Sequence, residues 1–178
     1  MRELRVVLVG MMGSGKSTVG RRVADLWGIE AVDTDLEIER RCDRSIRELF
    51  ATVGAAAFRE LERAVVADAV AAPAPLVVAC GGGAVLHPAT RERLCRPDVH
   101  VVWLRAAPEA LAARVGTDEE RPLLGADPVG SLRRLAAARA PLYGEVADVI
   151  VDVDDEPAEA VASLVMGLAD HLVAAVPS

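Results

Sequence analysis

The chain alternates short, continuous apolar runs with longer amphipathic segments. The runs are rich in β-branched residues and lie at 5–9, 31–33, 76–79, 99–104 and 149–153. Continuous apolar runs are typical of parallel strands that helices cover on both faces, and the segments between the runs are too long for hairpin connections. The pattern therefore predicts an α/β domain built around a parallel sheet. Ligands of such sheets gather at the carboxyl ends of the strands.

Local signals place several helix boundaries. Ser45 and Glu48 have the spacing of a capping box, which predicts a helix start. Prolines stand where four further helices could begin, at Pro88, Pro108, Pro128 and Pro157. The segment 116–128 is different, because it has few apolar residues and several acids around Arg121. We predict that this segment forms a mobile lid.

Composition narrows the possible functions. A chain of 178 residues predicts a single domain, 1–178. Aromatic residues make up only 3% of it, which argues against a protein that stacks bases on aromatic side chains. The net charge of −7 also argues against a surface that binds a phosphate backbone. We therefore expect no nucleic-acid partner, and any phosphate binding should be confined to a local site.

Cysteine usage and hydropathy indicate the compartment. The three cysteines are odd in number and widely spaced, which predicts reduced thiols rather than a disulfide or zinc framework. The chain shows no secretory leader pattern. Its longest uncharged stretch, 69–90, is interrupted by prolines and glycines and would not form a membrane span. We expect a cytoplasmic monomer without a membrane partner.

The strongest chemical signal is a G-x-x-x-x-G-K-S segment at 10–17, which directly follows the first apolar run. In such phosphate loops, backbone N–H groups face phosphate oxygens, the lysine bridges the outer phosphates and the serine holds Mg²⁺. Lys16 is the only lysine among the 20 basic residues, which supports a role that needs an ammonium group. The segment predicts binding of a nucleoside triphosphate.

Two carboxylates follow the second apolar run. Asp33 and Asp35 are expected at the same sheet edge as the phosphate loop. One could hold Mg²⁺ through water, and the other could accept the proton of an attacking hydroxyl. Either could instead cap a helix. Because the third run ends in Cys80 rather than in an acidic residue, magnesium support would fall to Asp33.

Glycines and arginines complete the candidates. Gly81, Gly82 and Gly83, here called the glycine turn, follow the third run and would let a ligand approach the main chain closely. Arginine forks bind carboxylates or phosphates through paired hydrogen bonds, although an arbitrary arginine is more often a solvated surface residue. A functional role for Arg59 and Arg139 therefore needs a further argument.

That argument is a resemblance. The segments 10–18, 33–35, 58–62, 81–85, 121–124 and 139–143 resemble those of the shikimate kinase family, in order and over nearly the full chain. The resemblance implies a three-layer α/β/α P-loop kinase fold with a five-stranded parallel sheet and a mobile lid. It also implies transfer of the γ-phosphate of ATP to the 3-hydroxyl of shikimate, which gives shikimate 3-phosphate and ADP.

The resemblance assigns roles to individual residues. ATP binding falls to Gly13, Ser14, Gly15, Lys16, Ser17, Thr18, Arg114 and Arg121. Shikimate binding, in part from a helical region at about 34–62, falls to Asp35, Arg59, Gly81, Gly82, Gly83 and Arg139. Catalysis falls to Asp35, Lys16 and Arg121, and Mg²⁺ to Ser17 and Asp33.

Alternatives remain open at this point. A small-molecule kinase of the same build that acts on gluconate, or on a shikimate analogue such as an aminated ring, would differ only in its acceptor. A nucleotide-dependent regulatory module would bind ATP without acceptor-dependent turnover, since phosphate loops serve both classes. The two arginines and the glycine turn favour a kinase, because a switch does not need them.

Overall fold

A computed structural model describes residues 4–115 and 127–174, with side chains as far as Ala169 in the last helix. It contains a parallel sheet whose strands are β1 (Arg5–Val9), β2 (Glu30–Asp33), β3 (Leu76–Ala79), β4 (His100–Arg105) and β5 (Val149–Asp152). The strand order is β2-β3-β1-β4-β5, and every neighbouring pair is parallel. The predicted parallel sheet is confirmed: β2 and β5 each differ from the prediction by one residue at one end, and β4 is shifted by one residue at both ends.

Seven α-helices and a short 3-10 helix, Ala84–Leu86, connect and follow the strands in the described residues. The α-helices are α1 (Lys16–Trp27), α2 (Thr34–Cys42), α3 (Ile46–Ala71), α4 (Pro88–Leu94), α5 (Pro108–Val115), α6 (Pro128–Val146) and α7 (Ala158–Ala174). The predicted capping box at Ser45 begins α3. Three of the four prolines occupy the first turn of a helix, and Pro157 stands directly before α7.

Two apolar clusters cover the two faces of the sheet. On one face, Val6 and Leu8 of β1 pack with residues of α1 and α7, including Val19 and Val165. On the other face, Val7 and its neighbours pack with residues of α3, α4, α5 and α6. This alternation along β1 is the reason for its continuous apolar run, because each face of the strand enters a different core. The result is the predicted three-layer α/β/α architecture.

A third, smaller cluster lies away from the sheet. Ile38 of α2 packs with Leu49, Phe58 and Val65 of α3. This cluster holds α2 against α3 as a helical unit beside the carboxyl end of β2. It corresponds to the helical region expected at about 34–62.

The topology gathers distant parts of the sequence at one sheet edge. β1 lies between β3 and β4, so the loops after β1, β2 and β3 emerge side by side. These loops are the phosphate loop, the Asp33 to Asp35 segment and the glycine turn. A crevice at the carboxyl ends of parallel strands is the usual ligand position in this class of sheet.

Two further expectations concern the lid and membrane-spanning helices. The predicted lid, 116–128, lies outside the described residues as far as 126. At its end the prediction needs a correction, since Pro128 begins α6 and Asp127 caps that helix by accepting a hydrogen bond from the Gly130 N–H. Among the helices within the described ranges, none is long and apolar enough to cross a lipid bilayer.

Candidate active site

The backbone of the phosphate loop turns tightly at its three glycines. Gly10, Gly13 and Gly15 have φ values of 145°, 79° and 87°, which side chains with a Cβ rarely adopt. Lys16 is buried, and its ammonium group donates to the Met11 carbonyl at 2.9 Å. Gly15 directly precedes α1, so the backbone N–H groups of the first helical turn point into the crevice. This arrangement suits a polyphosphate.

The predicted nucleotide residues divide into two groups. Gly13 to Thr18 all lie in the phosphate loop or the first turn of α1. Arg114 lies at the end of α5, where its guanidinium donates to the carbonyls of Val153 and Asp154, the latter at 2.6 Å. Arg114 therefore fixes the segment after β5 at the same sheet edge. Arg121 lies outside the described residues.

Asp33 and Asp35 have different surroundings. Asp33 is the N-cap of α2, and its Oδ1 accepts from the N–H groups of Asp35 at 3.0 Å and Leu36 at 3.3 Å. The capping interpretation is therefore correct for Asp33, although it engages only one carboxylate oxygen. Asp35 points into the crevice, where burial raises its pKa and the nearby Lys16 ammonium partly offsets that rise.

The glycine turn lies against side chains of α2 and α3. The Gly81 N–H donates to the buried Thr34 hydroxyl at 2.9 Å, which ties the turn to the start of α2. A methyl group on Gly81 would collide with the Asp35 carboxylate and would lie 2.7 Å from Glu62 Oε1. Only glycine lets two acids approach the main chain this closely.

Arg59 approaches the glycine turn from α3. Its guanidinium contacts Gly83 so closely that any side chain there would overlap it. Arg59 Nη1 pairs with Glu62 Oε2 at 2.5 Å, and the Arg59 side chain is 20% exposed whereas that of Glu62 is 3% exposed. Burial raises the pKa of Glu62, and Arg59 opposes that rise. Part of the Arg59 side chain therefore stays exposed beside the glycine turn.

Arg139 and Tyr143 hold the turn from the other side. They lie one helical turn apart on α6, and both are buried. Arg139 Nη1 donates to the Gly82 carbonyl at 3.0 Å, and the Tyr143 hydroxyl donates to the same oxygen at 2.6 Å. Burial raises the pKa of Tyr143 to about 12, so the hydroxyl stays a donor. The two bonds fix the orientation of the Gly82 peptide.

The crevice therefore combines cations and acids at close range. Against the larger effect of burial, the positive charges of Lys16 and Arg59 both lower the pKa of Asp35. Those of Arg59 and Arg139 likewise lower the pKa of Glu62. The structure brings together the predicted residues of the phosphate loop, Asp35, Arg59, the glycine turn and Arg139. A small ligand that carries a carboxylate and a hydroxyl fits this distribution of charge.

Three residues of the site had no predicted role. Thr34, Glu62 and Tyr143 all lie inside the segments that carry the family resemblance. Glu62 follows Arg59 by three residues and Tyr143 follows Arg139 by four, the spacings at which side chains meet on a helix. From this spacing the contact of Glu62 with Arg59, and the position of Tyr143 beside Arg139, could have been predicted.

Metal donors in the crevice are few. Among the described side chains, which end at Ala169, no group of three or more histidine, cysteine or acidic residues could hold an ion. Two hard oxygen donors at this sheet edge are the hydroxyl of Ser17, in the first turn of α1, and the Asp33 carboxylate oxygen that does not cap α2. A Mg²⁺ ion that takes most of its ligands from phosphates and water fits such a sparse donor set.

Comparisons with known proteins agree with this geometry. The sequence model of the shikimate kinase family matches residues 12–169 of this chain. A shikimate kinase from Paramagnetospirillum magneticum is 48% identical over 169 residues, which cover 94% of this chain and 85% of that protein. A solved shikimate kinase from Acinetobacter baumannii, in complex with shikimate, has a TM-score of 0.90 at 36% identity and covers 98% of this chain and 96% of its own.

A gluconokinase from Sinorhizobium meliloti is also similar, with a TM-score of 0.60 and 22% identity over 97% of each chain. At that identity the likeness concerns the fold alone. The family model and the relatives match most of this chain, and its phosphate loop, acids and arginines meet at one sheet edge. Together these findings establish the family. This chain belongs to the shikimate kinase family of ATP-dependent P-loop kinases.

Proposed function

We propose that this chain transfers the γ-phosphoryl group of ATP to the 3-hydroxyl of shikimate, which gives shikimate 3-phosphate and ADP. The observation that carries the proposal is the convergence of Arg59, Arg139 and Asp35 on the glycine turn, beside the phosphate loop. The two arginines suit the carboxylate of the acceptor, and Asp35 suits one of its hydroxyls.

In this proposal, residues 13–18 bind the phosphates of ATP. Loop N–H groups and the Lys16 ammonium cradle the β and γ phosphates, and Arg114 supports the adenine side. Ser17 and Asp33 would hold Mg²⁺, which neutralises phosphate charge when bound. Arg121 would close over the transferring phosphate, an assignment that rests on the family resemblance alone.

Asp35 receives the proton in the chemical step. The 3-hydroxyl oxygen of shikimate forms a bond to the γ-phosphorus, and the bond from that phosphorus to the β,γ-bridging oxygen breaks. ADP leaves with the electron pair, and the hydroxyl proton passes to Asp35. Because the transition state for phosphoryl transfer is loose, a carboxylate is basic enough for this late transfer. Catalysis rests mainly on positioning and charge neutralisation.

The remaining expectations follow from the same reaction. Two small-molecule substrates require neither a nucleic acid nor a membrane as partner. The acidic chain and its three free thiols fit a cytoplasmic protein. We further propose that it acts as a monomer, since each residue assigned above lies in one chain.

Analysis of the product tests the reaction. The protein is incubated with ATP, Mg²⁺ and shikimate, and phosphorus-31 NMR then follows the transferred group. We expect a phosphate monoester coupled to the proton at carbon 3 of the ring. Inorganic phosphate as the sole product would support the regulatory module, and an ester at another hydroxyl would contradict the assigned regiochemistry.

Substitution of Arg139 tests the acceptor clamp. Arg139→Ala removes a buried guanidinium, so we expect the KM for shikimate to rise about 30-fold or more while the KM for ATP changes little. Arg133→Ala is the matched control, because Arg133 lies on the same helix with its side chain 65% exposed. An unchanged KM for shikimate in Arg139→Ala would remove Arg139 from the clamp.

A further inference from the structure

Helix α3 is broken at Gly54, within the helical unit beside the crevice. Gly54 has φ 76° and ψ 170°, whereas the residues before and after it are helical. This combination of angles is essentially restricted to glycine. No atom lies within 4 Å of the place where a Cβ would stand, so lack of space does not explain the glycine. The backbone conformation itself is the distinctive feature.

The break brings two aromatic rings together. Phe50 and Phe58 stack with their ring centroids 4.2 Å apart and their planes at 30°. In an unbroken α-helix, eight residues span about 12 Å along the axis, and both side chains lean toward the same end. Two rings in that arrangement cannot stack. The stack therefore depends on the turn that the chain makes at Gly54.

The stacked rings support Arg59. The Arg59 guanidinium carbon lies 5.5 Å from the centroid of Phe50 and 5.3 Å from that of Phe58, within the range of cation–π attraction. The guanidinium also pairs with Glu62 at 2.5 Å. The rings and the acid together restrict the orientation of a long side chain that would otherwise sample many rotamers.

We infer that Gly54 is a positioning residue for acceptor binding: its conformation folds Phe50 back onto Phe58, and the resulting ring platform preorganises the Arg59 guanidinium for the acceptor's carboxylate. The identity of that acceptor rests on the proposed function. A preorganised guanidinium loses less freedom on binding, so Gly54 acts on acceptor affinity. The phosphate loop lies between β1 and α1, so nucleotide affinity does not depend on the break.

The experiment measures steady-state kinetics for the wild type, Gly54→Ala and Gly28→Ala. Gly28 is a matched control, because it also has a positive φ, 65°, with no atom within 4 Å, but it ends α1 far along the chain from the ring stack. We expect Gly54→Ala to raise the KM for shikimate about tenfold and to leave the KM for ATP within about twofold. Gly28→Ala should lower the melting temperature and leave both KM values unchanged.

A second variant tests the ring platform without altering the backbone. Phe50→Leu removes the stack, so it should also raise the KM for shikimate selectively. Because both changes act through the same stack, the double variant should show a KM no higher than the worse single variant. A double variant whose KM rises by the product of the two single effects would overturn the inference. If Gly54→Ala does not fold, an unchanged KM for shikimate in Phe50→Leu overturns it.

The result separates this inference from the proposed function. A wild type that releases no ADP with shikimate contradicts the proposed function, and the inference about its acceptor falls with it. An active wild type with an unchanged KM for shikimate in Gly54→Ala contradicts the inference alone. Equal increases in the KM values for shikimate and ATP would also overturn it, because they would indicate general loss of structure.

Discussion

Asp35 and Glu62 are two acids whose burial beside the glycine turn affects the stability of the folded protein. Burial raises the pKa of each carboxyl above its ordinary value, so the folded protein favours the protonated forms. The stability linked to these groups is fully present below their unfolded pKa values and is lost as the pH rises through the folded ones. At neutral pH, which lies above the unfolded pKa values, the two carboxyls therefore contribute less to the stability of the folded protein than they do at acidic pH. Cationic neighbours offset only part of this effect.

Asp35→Asn should separate activity from stability. We expect kcat to fall by roughly 100-fold or more, because the proton acceptor is lost. The affinity for ATP should stay near that of the wild type, and the melting temperature at pH 7 should rise, because a buried charge is removed. The control is Asp25→Asn, an exposed acid on α1. Equal losses of kcat and ATP affinity would exclude the proposed role of Asp35.

The same pKa shift predicts a pH dependence of activity. As the pH falls through the raised pKa of Asp35, the carboxylate is protonated and can no longer accept the hydroxyl proton. The acidic limb of the kcat/KM profile for shikimate, which reports the free enzyme, should therefore lie above the ordinary aspartate value of 3.8. In Asp35→Asn the residual activity should lack this limb.

The glycine turn shows how a short loop element serves the site. Its three residues contact different partners: Gly81 adjoins Asp35 and Glu62, Gly82 is held by α6, and Gly83 adjoins Arg59. A methyl group on Gly81 would displace the two carboxylates, so its effect should fall on the acceptor rather than on the nucleotide.

Gly81→Ala should raise the KM for shikimate about fivefold or more, since overpacking strain is typically 1 kcal/mol or greater. The KM for ATP should change less than the KM for shikimate. Gly144→Ala is the control, because Gly144 lies within α6 and no atom lies within 4 Å of its added Cβ. A wild-type KM for shikimate in Gly81→Ala would show that the approach of the two acids is not required.

Local sequence signals predicted the elements well. The capping box at Ser45 and the prolines at Pro88 and Pro108 mark helix starts that the structure confirms. The break at Gly54 was not predicted, because a single glycine in a helical pattern gives no indication of its φ and ψ angles. The cap formed by Asp33 was one of two open interpretations, since both acids follow the strand with similar spacing.

The assembly of the crevice depends on the whole chain. Two features of the fold bring the parts of the site together. The strand order places β1 beside β3, and α6 packs against the glycine turn. The residues that meet in this way are 10–18, 33–35, 59, 81–83 and 139. The apolar pattern predicted a shared sheet edge for the first three loops. It carried no information on the position of α6, so Arg139 could be assigned only through the family resemblance. The structure places Arg139 in contact with Gly82, so this residue of α6 lies at the glycine turn.

Charge distribution also distinguishes the crevice from the rest of the molecule. The chain carries a net charge of −7, yet its only lysine and two of its arginines face the crevice. A local cationic site on an acidic protein attracts small anions without binding a nucleic-acid backbone. This distribution agrees with a kinase whose two substrates are both anions.

Acceptor-dependent release of ADP is the measurement that decides the account. A coupled assay with ATP and Mg²⁺ is run without an acceptor, with shikimate and with gluconate. We predict strong stimulation by shikimate and a rate with gluconate that equals the background. Stimulation by gluconate alone would contradict the choice of acceptor, and a rate that neither acid changes would contradict the assignment of this crevice to phosphoryl transfer onto shikimate.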